Sequence, residues 1–286
     1  MYTTSSATAF EQLAQSLTPR YGLGEALSIA RIVLEDAFGE KKPSGRLLSS
    51  EENDRFGQIK QRLISGEPVQ YVLGEADFFG LKFCVNPAVL IPRQETEELV
   101  AWVLEYLRAC GIASPVVLDI GLGSGCIALA LKRKRKEIQL FGLEKSAAAL
   151  AVAEENARRL VGETSTQFFL ADIFDPVTAT FFPPLDVIVS NPPYIPAHER
   201  SRVPEHVQAH EPEEALFVEG DDPLLFYRAI ARFAQQKLQP GGRLFFECNE
   251  FNAAAVAPLL QEMGFTQIEL RKDLSGADRM VGAAWG

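Results

Sequence analysis

Asn191-Pro192-Pro193-Tyr194 follows a short, mostly apolar run, Asp186-Val187-Ile188-Val189-Ser190. The two prolines fix φ and remove two backbone donors, so the carbonyls around them can only accept. The side chain of Asn191 adds one more carbonyl. A planar NH2 group has two hydrogens to donate, and two converging acceptors would hold it while its nitrogen faces an electrophile. Tyr194 supplies a flat apolar surface on which an amide or a base can stack. No nucleophile or metal is needed if the electrophile arrives activated, as a sulfonium does. Catalysis is then alignment plus polarisation of the NH2 nitrogen. Alone, a Pro-Pro pair is also a stiff turn; a second motif gives it chemical weight.

That second motif is Gly121-Leu122-Gly123-Ser124-Gly125, directly after Val116-Val117-Leu118-Asp119-Ile120. Glycines let a backbone turn sharply and approach a ligand closely. Cys126 stands where a dinucleotide fingerprint wants Gly or Ala, and G-x-x-x-x-G-K-[ST] is absent, so neither a pyrophosphate nor a triphosphate is well served. Glu144 lies at about the distance from the loop at which an acid meets ribose hydroxyls, which suits an adenosine-bearing cofactor. Asp172 follows Phe168-Phe169-Leu170-Ala171 and can accept from an adenine amino group, with Ile173-Phe174 as an alternative wall for the ring. Both acids can instead cap the helices that follow them.

Elements must place these groups together. Ala26, Ile29, Ala30, Val33 and Ala37 form one apolar stripe, which predicts a helix over 23–38. A second helix begins near Ser49, with Glu52 completing a capping box; it should stop at Gly66 and Pro68. The aromatic-rich stretch 78–85 reads as a strand pair turning at Gly80, and 94–109 as a helix burying Leu99, Val100, Val103, Leu104 and Leu107. From Pro115 onward, strands near 116–120, 138–143, 167–170, 186–190 and 243–248 are interleaved with helices at 126–136 and 146–160. Such alternation predicts a parallel sheet covered on both faces, with ligands beyond the carboxyl ends of its strands. The expected division is a helical domain over 1–75, a hairpin linker over 76–93 and the main α/β domain over 94–286.

The 286 residues carry a net charge of −10, which argues against gripping a nucleic-acid backbone, where a basic face supplies most of the affinity. The basic run Lys132-Arg133-Lys134-Arg135-Lys136 falls where a helix should end, and the helix dipole favours cations there; a contact with RNA or an acidic partner is the alternative reading. No apolar run approaches the roughly 18 residues of a membrane span, and no basic-then-apolar leader opens the chain, so a cytoplasmic protein without membrane attachment is expected. Cys84, Cys110, Cys126 and Cys248 are scattered and form no C-x-x-C pair; isolated thiols are expected rather than disulfides or metal ligands. His206 and His210 are spaced to share a helix face, yet without H-E-x-x-H they read as surface histidines, and no metal is expected.

At this point a resemblance becomes visible. Pro68-Val69-Gln70-Tyr71-Val72-Leu73-Gly74, Phe78-Phe79-Gly80 and Leu90-Ile91-Pro92-Arg93-Gln94-Glu95-Thr96-Glu97 precede the glycine loop and NPPY. Glu211-Pro212 with Ala215-Leu216, and Arg271-Lys272-Asp273-Leu274, follow them. Together these span nearly the whole chain and resemble the bacterial release factor N5-glutamine methyltransferases, the HemK/PrmC family. The resemblance implies an α/β fold, specifically a class I, Rossmann-like, seven-stranded S-adenosylmethionine-dependent methyltransferase domain with a small N-terminal helical domain that helps dock the substrate. It implies methylation of the glutamine of the Gly-Gly-Gln motif in class 1 peptide chain release factors, leaving S-adenosylhomocysteine. The cofactor is expected against Asp119, Gly121, Leu122, Gly123, Ser124, Gly125, Glu144, Asp172, Ile173 and Asn191. The glutamine amide is expected at Asn191, Pro192, Pro193 and Tyr194, with Asn191, Pro192 and Tyr194 as the catalytic set. A monomer that does not bind nucleic acid directly is expected. Glu144 replaces the Asp common in relatives, Ile173 a larger aromatic, and Cys248-Asn249 an apolar residue and glycine. The competing readings are a DNA amino-methyltransferase acting on adenine N6, which would have to flip the base, and a noncatalytic cofactor-binding adaptor.

Overall fold

The computed structural model describes residues 4–162, 166–218, 220 and 222–286; residues 1–3, counted above in the helical domain, lie outside them. The chain divides into two compact units, Met1–Glu75 and Ala76–Gly286.

In the first unit, α1 (Ser6–Phe38) is longer than its apolar stripe suggests. Ser5 caps it by accepting from the Thr8 amide. Pro19 and Gly22 (φ 75°, ψ 163°) interrupt the helix, which hid the first half from a periodicity count. Ala9, Leu13 and Leu17 from that half pack with Ala26, Ile29, Ala30 and Val33 from the other. In α2 (Ser50–Ile64) the Ser49–Glu52 capping box is present in both directions, and Phe56, Ile59 and Leu63 point into the same core. The short α3 (Val69–Leu73) adds Val69 and Val72.

The second unit begins one residue into a hairpin of β1 (Glu75–Phe78) and β2 (Leu81–Cys84). Phe79 and Gly80 both have positive φ, 52° and 75°, as a two-residue turn matched to strand twist requires. Then come α4 (Gln94–Ala109), β3 (Val116–Ile120), α5 (Cys126–Lys134), β4 (Gln139–Glu144), α6 (Ala147–Leu160), β5 (Thr166–Leu170) and β6 (Leu185–Ser190). After β6 lies a small subsheet of β7 (Ile195–Pro196) and β8 (Phe217–Val218), with α7 (Glu205–His210) and α8 (Glu213–Leu216) between them. The chain closes with α9 (Leu225–Lys237), β9 (Leu238–Glu247), α10 (Ala253–Glu262), β10 (Thr266–Lys272) and β11 (Asp278–Ala284).

The main sheet has seven strands in the order β10-β11-β9-β6-β3-β4-β5. From β9 to β5 it is parallel, as the alternation predicts. It is not parallel throughout: β11 runs antiparallel between β9 and β10, and the strand–helix rhythm of the sequence did not reveal this pair. One face packs on α4, α5 and α6 through Leu99, Val103, Ala128 and Ala153; the other packs on α9 and α10 through Tyr227, Ile230, Val256 and Leu260. The strand order reverses at β3, flanked by β4 and β6, and a crevice opens beyond the strand ends at such a reversal. The basic run sits in the last turn of α5 and just past it. There Lys132 Nζ donates to the carbonyls of Lys136 and Ile138, and Arg135 to that of Leu107.

Candidate active site

A cavity of about 280 Å³ occupies that crevice, bounded by the ends of β3, β4 and β6. Its floor is the glycine loop. Gly121 and Gly123 have φ of 78° and 54°, and a Cβ built at either would meet nothing within 4 Å. Substitution there would be strained by conformation and would project into open space that a ligand can use. The loop hangs from β4: the amides of Gly121 and Leu122 both donate to the Leu143 carbonyl. Gly125 turns the chain into α5 with φ 78°. From behind, the buried Asn156 donates to the Ser124 carbonyl while exchanging two hydrogen bonds with the Cys84 backbone. Asn156 thus joins the hairpin to the loop, a role for which a lone Asn in a helix gives no sequence signal.

Glu144, the last residue of β4, uses both oxygens. Oε2 accepts from the Gly123 amide at 2.8 Å, and Oε1 from the amides of Lys145 and Ser146 at 2.8 and 2.9 Å. It therefore orders the loop itself, while Ser146 caps α6. Asp172 accepts from the Phe174 amide and pairs with Lys145 at 3.1 Å, on the same wall as Ile173. Asp119 lies beneath the loop, 1% exposed. One of its oxygens accepts from the Ala128 amide, and the other has no partner. Burial pushes its carboxyl well up from the usual range. The Ser124 hydroxyl is likewise buried and unpartnered. Burial also raises the Cys126 thiol to about 12, which makes it an inert wall rather than a nucleophile.

Asn191, Pro192 and Pro193 form the opposite wall, at the end of β6. Here the supports come from distant segments. Ser190 donates to the Ile120 carbonyl at 2.6 Å, locking β6 to β3. Asn191 Nδ2 donates to the hydroxyl of Thr96, in the first turn of α4, at 3.5 Å. The Tyr194 carbonyl accepts from Asn252 at 3.2 Å. The Tyr194 ring packs against the core cluster on the α9–α10 side rather than lining the cavity. Burial, with the Glu247 carboxyl second, pushes its phenol upward. A third wall joins residues 88–93 to Pro212, Glu214 and Ala215. The Glu211 carboxylate secures it by accepting from the Arg93 guanidinium and the Ile91 amide.

Of the expected cofactor residues, Gly121, Leu122, Gly123, Ser124, Glu144, Asp172, Ile173 and Asn191 line one cavity; Asp119 and Gly125 stand behind it. Pro192 and Pro193 join them and the Tyr194 ring does not. Thr96, Arg93, Glu211 and Glu247 were missed as site residues. The first three lie in the quoted motifs, but which contacts they make depends on segments far away in the chain. The four cysteines are free. His206 and His210 lie on α7, and no group of three or more candidate metal ligands occurs among the described residues. Among those residues, no helix is long and apolar enough to cross a membrane.

Known proteins fall into line with this geometry. The Methyltransferase small domain family matches residues 99–273, and the PrmC N-terminal domain family matches 8–74. The release factor glutamine methyltransferase of Flavobacterium psychrophilum is 38% identical over 94% of this chain and 95% of its own. That of Geobacter sulfurreducens is 39% identical over 92% and 87%. The T. thermophilus 16S rRNA N2 G1207 methyltransferase, solved with AdoMet and guanosine, superposes with a TM-score of 0.53 at 21% identity, covering 74% of this chain and 50% of that one; it shares the fold alone. With a seven-stranded methyltransferase sheet, an NPPY wall facing a glycine loop, and relatives aligned along nearly their full length, the chain belongs to the release factor glutamine methyltransferase family.

Proposed function

We propose that this enzyme transfers a methyl group from S-adenosylmethionine to the side-chain amide nitrogen of the glutamine in the Gly-Gly-Gln motif of class 1 peptide chain release factors, in the cytoplasm. The observation that carries the reading is the orientation of Asn191. Its Nδ2 is turned to Thr96, which leaves Oδ1 as an acceptor beside prolines that can donate nothing. An amide NH2 finds its complement there.

The residues opposite suit the cofactor. The glycine cradle would take the methionine portion, Glu144 the ribose hydroxyls, and Asp172 with Ile173 the adenine. The unpartnered Ser124 hydroxyl offers a further polar contact at the loop. When bound, the cofactor supplies a methyl already activated by positive sulfur. The chain then has to hold the amide nitrogen in line and draw on its N–H bonds through Asn191 Oδ1 and the Pro192 carbonyl. Asn191 Oδ1 and the Pro192 carbonyl would keep the nitrogen in place while the amide proton lost on transfer passed to solvent.

Incubation with methyl-labelled cofactor and a purified release factor should place label on the Gly-Gly-Gln glutamine, and a release factor with that glutamine changed to alanine should stay unlabelled. Parallel incubation with duplex DNA should give none. Label in DNA alone would overturn the proposal in favour of base methylation, and no transfer to either would leave a binding module.

A further inference from the structure

Glu247 ends β9 and is 2% exposed, yet one of its carboxyl oxygens has no hydrogen-bond partner. Ser190 on β6 pairs in parallel register with Phe246 on β9, so the next step along both strands sets Asn191 beside Glu247. Thr96 comes in from α4, itself 2% exposed, and receives the Asn191 Nδ2 hydrogen. Thr96 and Asn191 lie near enough to the Glu247 carboxyl to favour its charged form. Buried carboxyls are rarely left without purpose beside an active site.

We propose that Glu247 is the positioning residue that fixes which way the Asn191 amide faces. The inference rests on the reading that Asn191 Oδ1 receives the acceptor amide. An Asn side chain keeps nearly the same shape after a half-turn that exchanges its oxygen and NH2. A flipped Asn191 would point two donors at an incoming NH2. Thr96 cannot prevent this, because a hydroxyl donates or accepts equally well. An ionised carboxylate only accepts. It therefore draws the Thr96 O–H and a hydrogen of Asn191 Nδ2 toward itself and leaves Oδ1 facing the cavity.

The direction of that small network depends on one proton. Burial raises the Glu247 carboxyl to about 7, against the pull of its hydrogen bonds and of Arg279 on β11. Glu95 on α4 adds to the rise, and the Tyr194, Tyr227, Cys126 and Cys248 groups feel the same carboxyl. Arg279 also pairs with Asp273 at 2.9 Å, so its charge is shared. As pH falls through about 7, Glu247 gains a proton and becomes a donor, and the half-turned Asn191 is no longer disfavoured. The turnover number should therefore fall on the acid side.

The test compares wild type, Glu247→Gln and Glu247→Ala at saturating cofactor on a release factor, from pH 5.5 to 9. Glu247→Ala should lower kcat by about ten- to a hundredfold, the scale of a misplaced aligning group, with cofactor affinity within about twofold. Glu247→Gln is nearly isosteric but both donor and acceptor; it should retain partial activity with a flat acid limb. Wild-type kcat in Glu247→Ala, or an unchanged acid limb in Glu247→Gln, overturns the proposal. Should the alanine variant fail to fold, the pH profile of the glutamine variant decides alone. Absence of transfer by the wild type would instead sink the function proposed above.

Discussion

Glu144 finds its partners close at hand: two amides that immediately follow it and one in the loop beside it. Asn191, across the same cavity, leans on Thr96, which lies 95 positions away in the chain, and under our proposal on Glu247 at the end of a later strand. The wall proposed for the cofactor is thus assembled from one strand–loop–helix unit and its neighbour, whereas the wall proposed for the acceptor amide exists only once α4, β6 and β9 have come together. Local construction yields a site with shape and anion-satisfying amides. Long-range construction allows a single side-chain amide to be oriented, which the chemistry of an NH2 acceptor demands.

Substitutions can break that contrast. Asn191→Ala should have the largest effect, lowering transfer by about 10³-fold, the range seen when an aligning donor or acceptor is lost, while calorimetry finds cofactor binding within a few-fold of wild type. A proportionate loss of affinity would show that the two walls are not separable. Glu144→Ala should act the other way. It should raise the cofactor Kd by about 10- to 30-fold, or roughly 1.4–2 kcal/mol, with kcat largely restored at saturating cofactor. A kcat that stays low there would mean that Glu144 also governs alignment through Gly123. The smallest effect should come from Glu211→Gln, which keeps the size but loses the charge paired with Arg93. Because Arg93 is partly exposed, about 1 kcal/mol of stability should be lost, read as a shift in the urea midpoint, with Asn191-dependent chemistry intact. A collapse of activity in that variant would make the third wall part of the acceptor side.

The same contrast explains what could be read from the sequence. The glycine loop, Glu144 and the strand–helix alternation are local patterns, and they appear at the expected places, with α5 and β4 shifted by only a residue or two. The capping box of α2 is equally local. The first half of α1 escaped notice because Pro19 and Gly22 break its rhythm. The antiparallel β10–β11 pair escaped because nothing in a run of residues announces which strand will slip between which. Glu247 has the same difficulty. On paper it is an acid at a strand end; its isolation from water and its place beside Asn191 come from the β6–β9 register. Tyr194 was legible as part of NPPY, but the direction of its ring was not.

The Arg93–Glu211 pair joins positions 118 apart. In polymer terms it is a cross-link, and a loop of that length has much freedom to lose when its ends are joined. A disulfide at such a spot would respond to redox conditions; a half-buried ion pair that also carries the Ile91 amide responds instead to salt. The wall formed by residues 88–93 and 212–215 can thus be loosened and remade without any covalent chemistry, while the glycine loop opposite stays anchored to its strand.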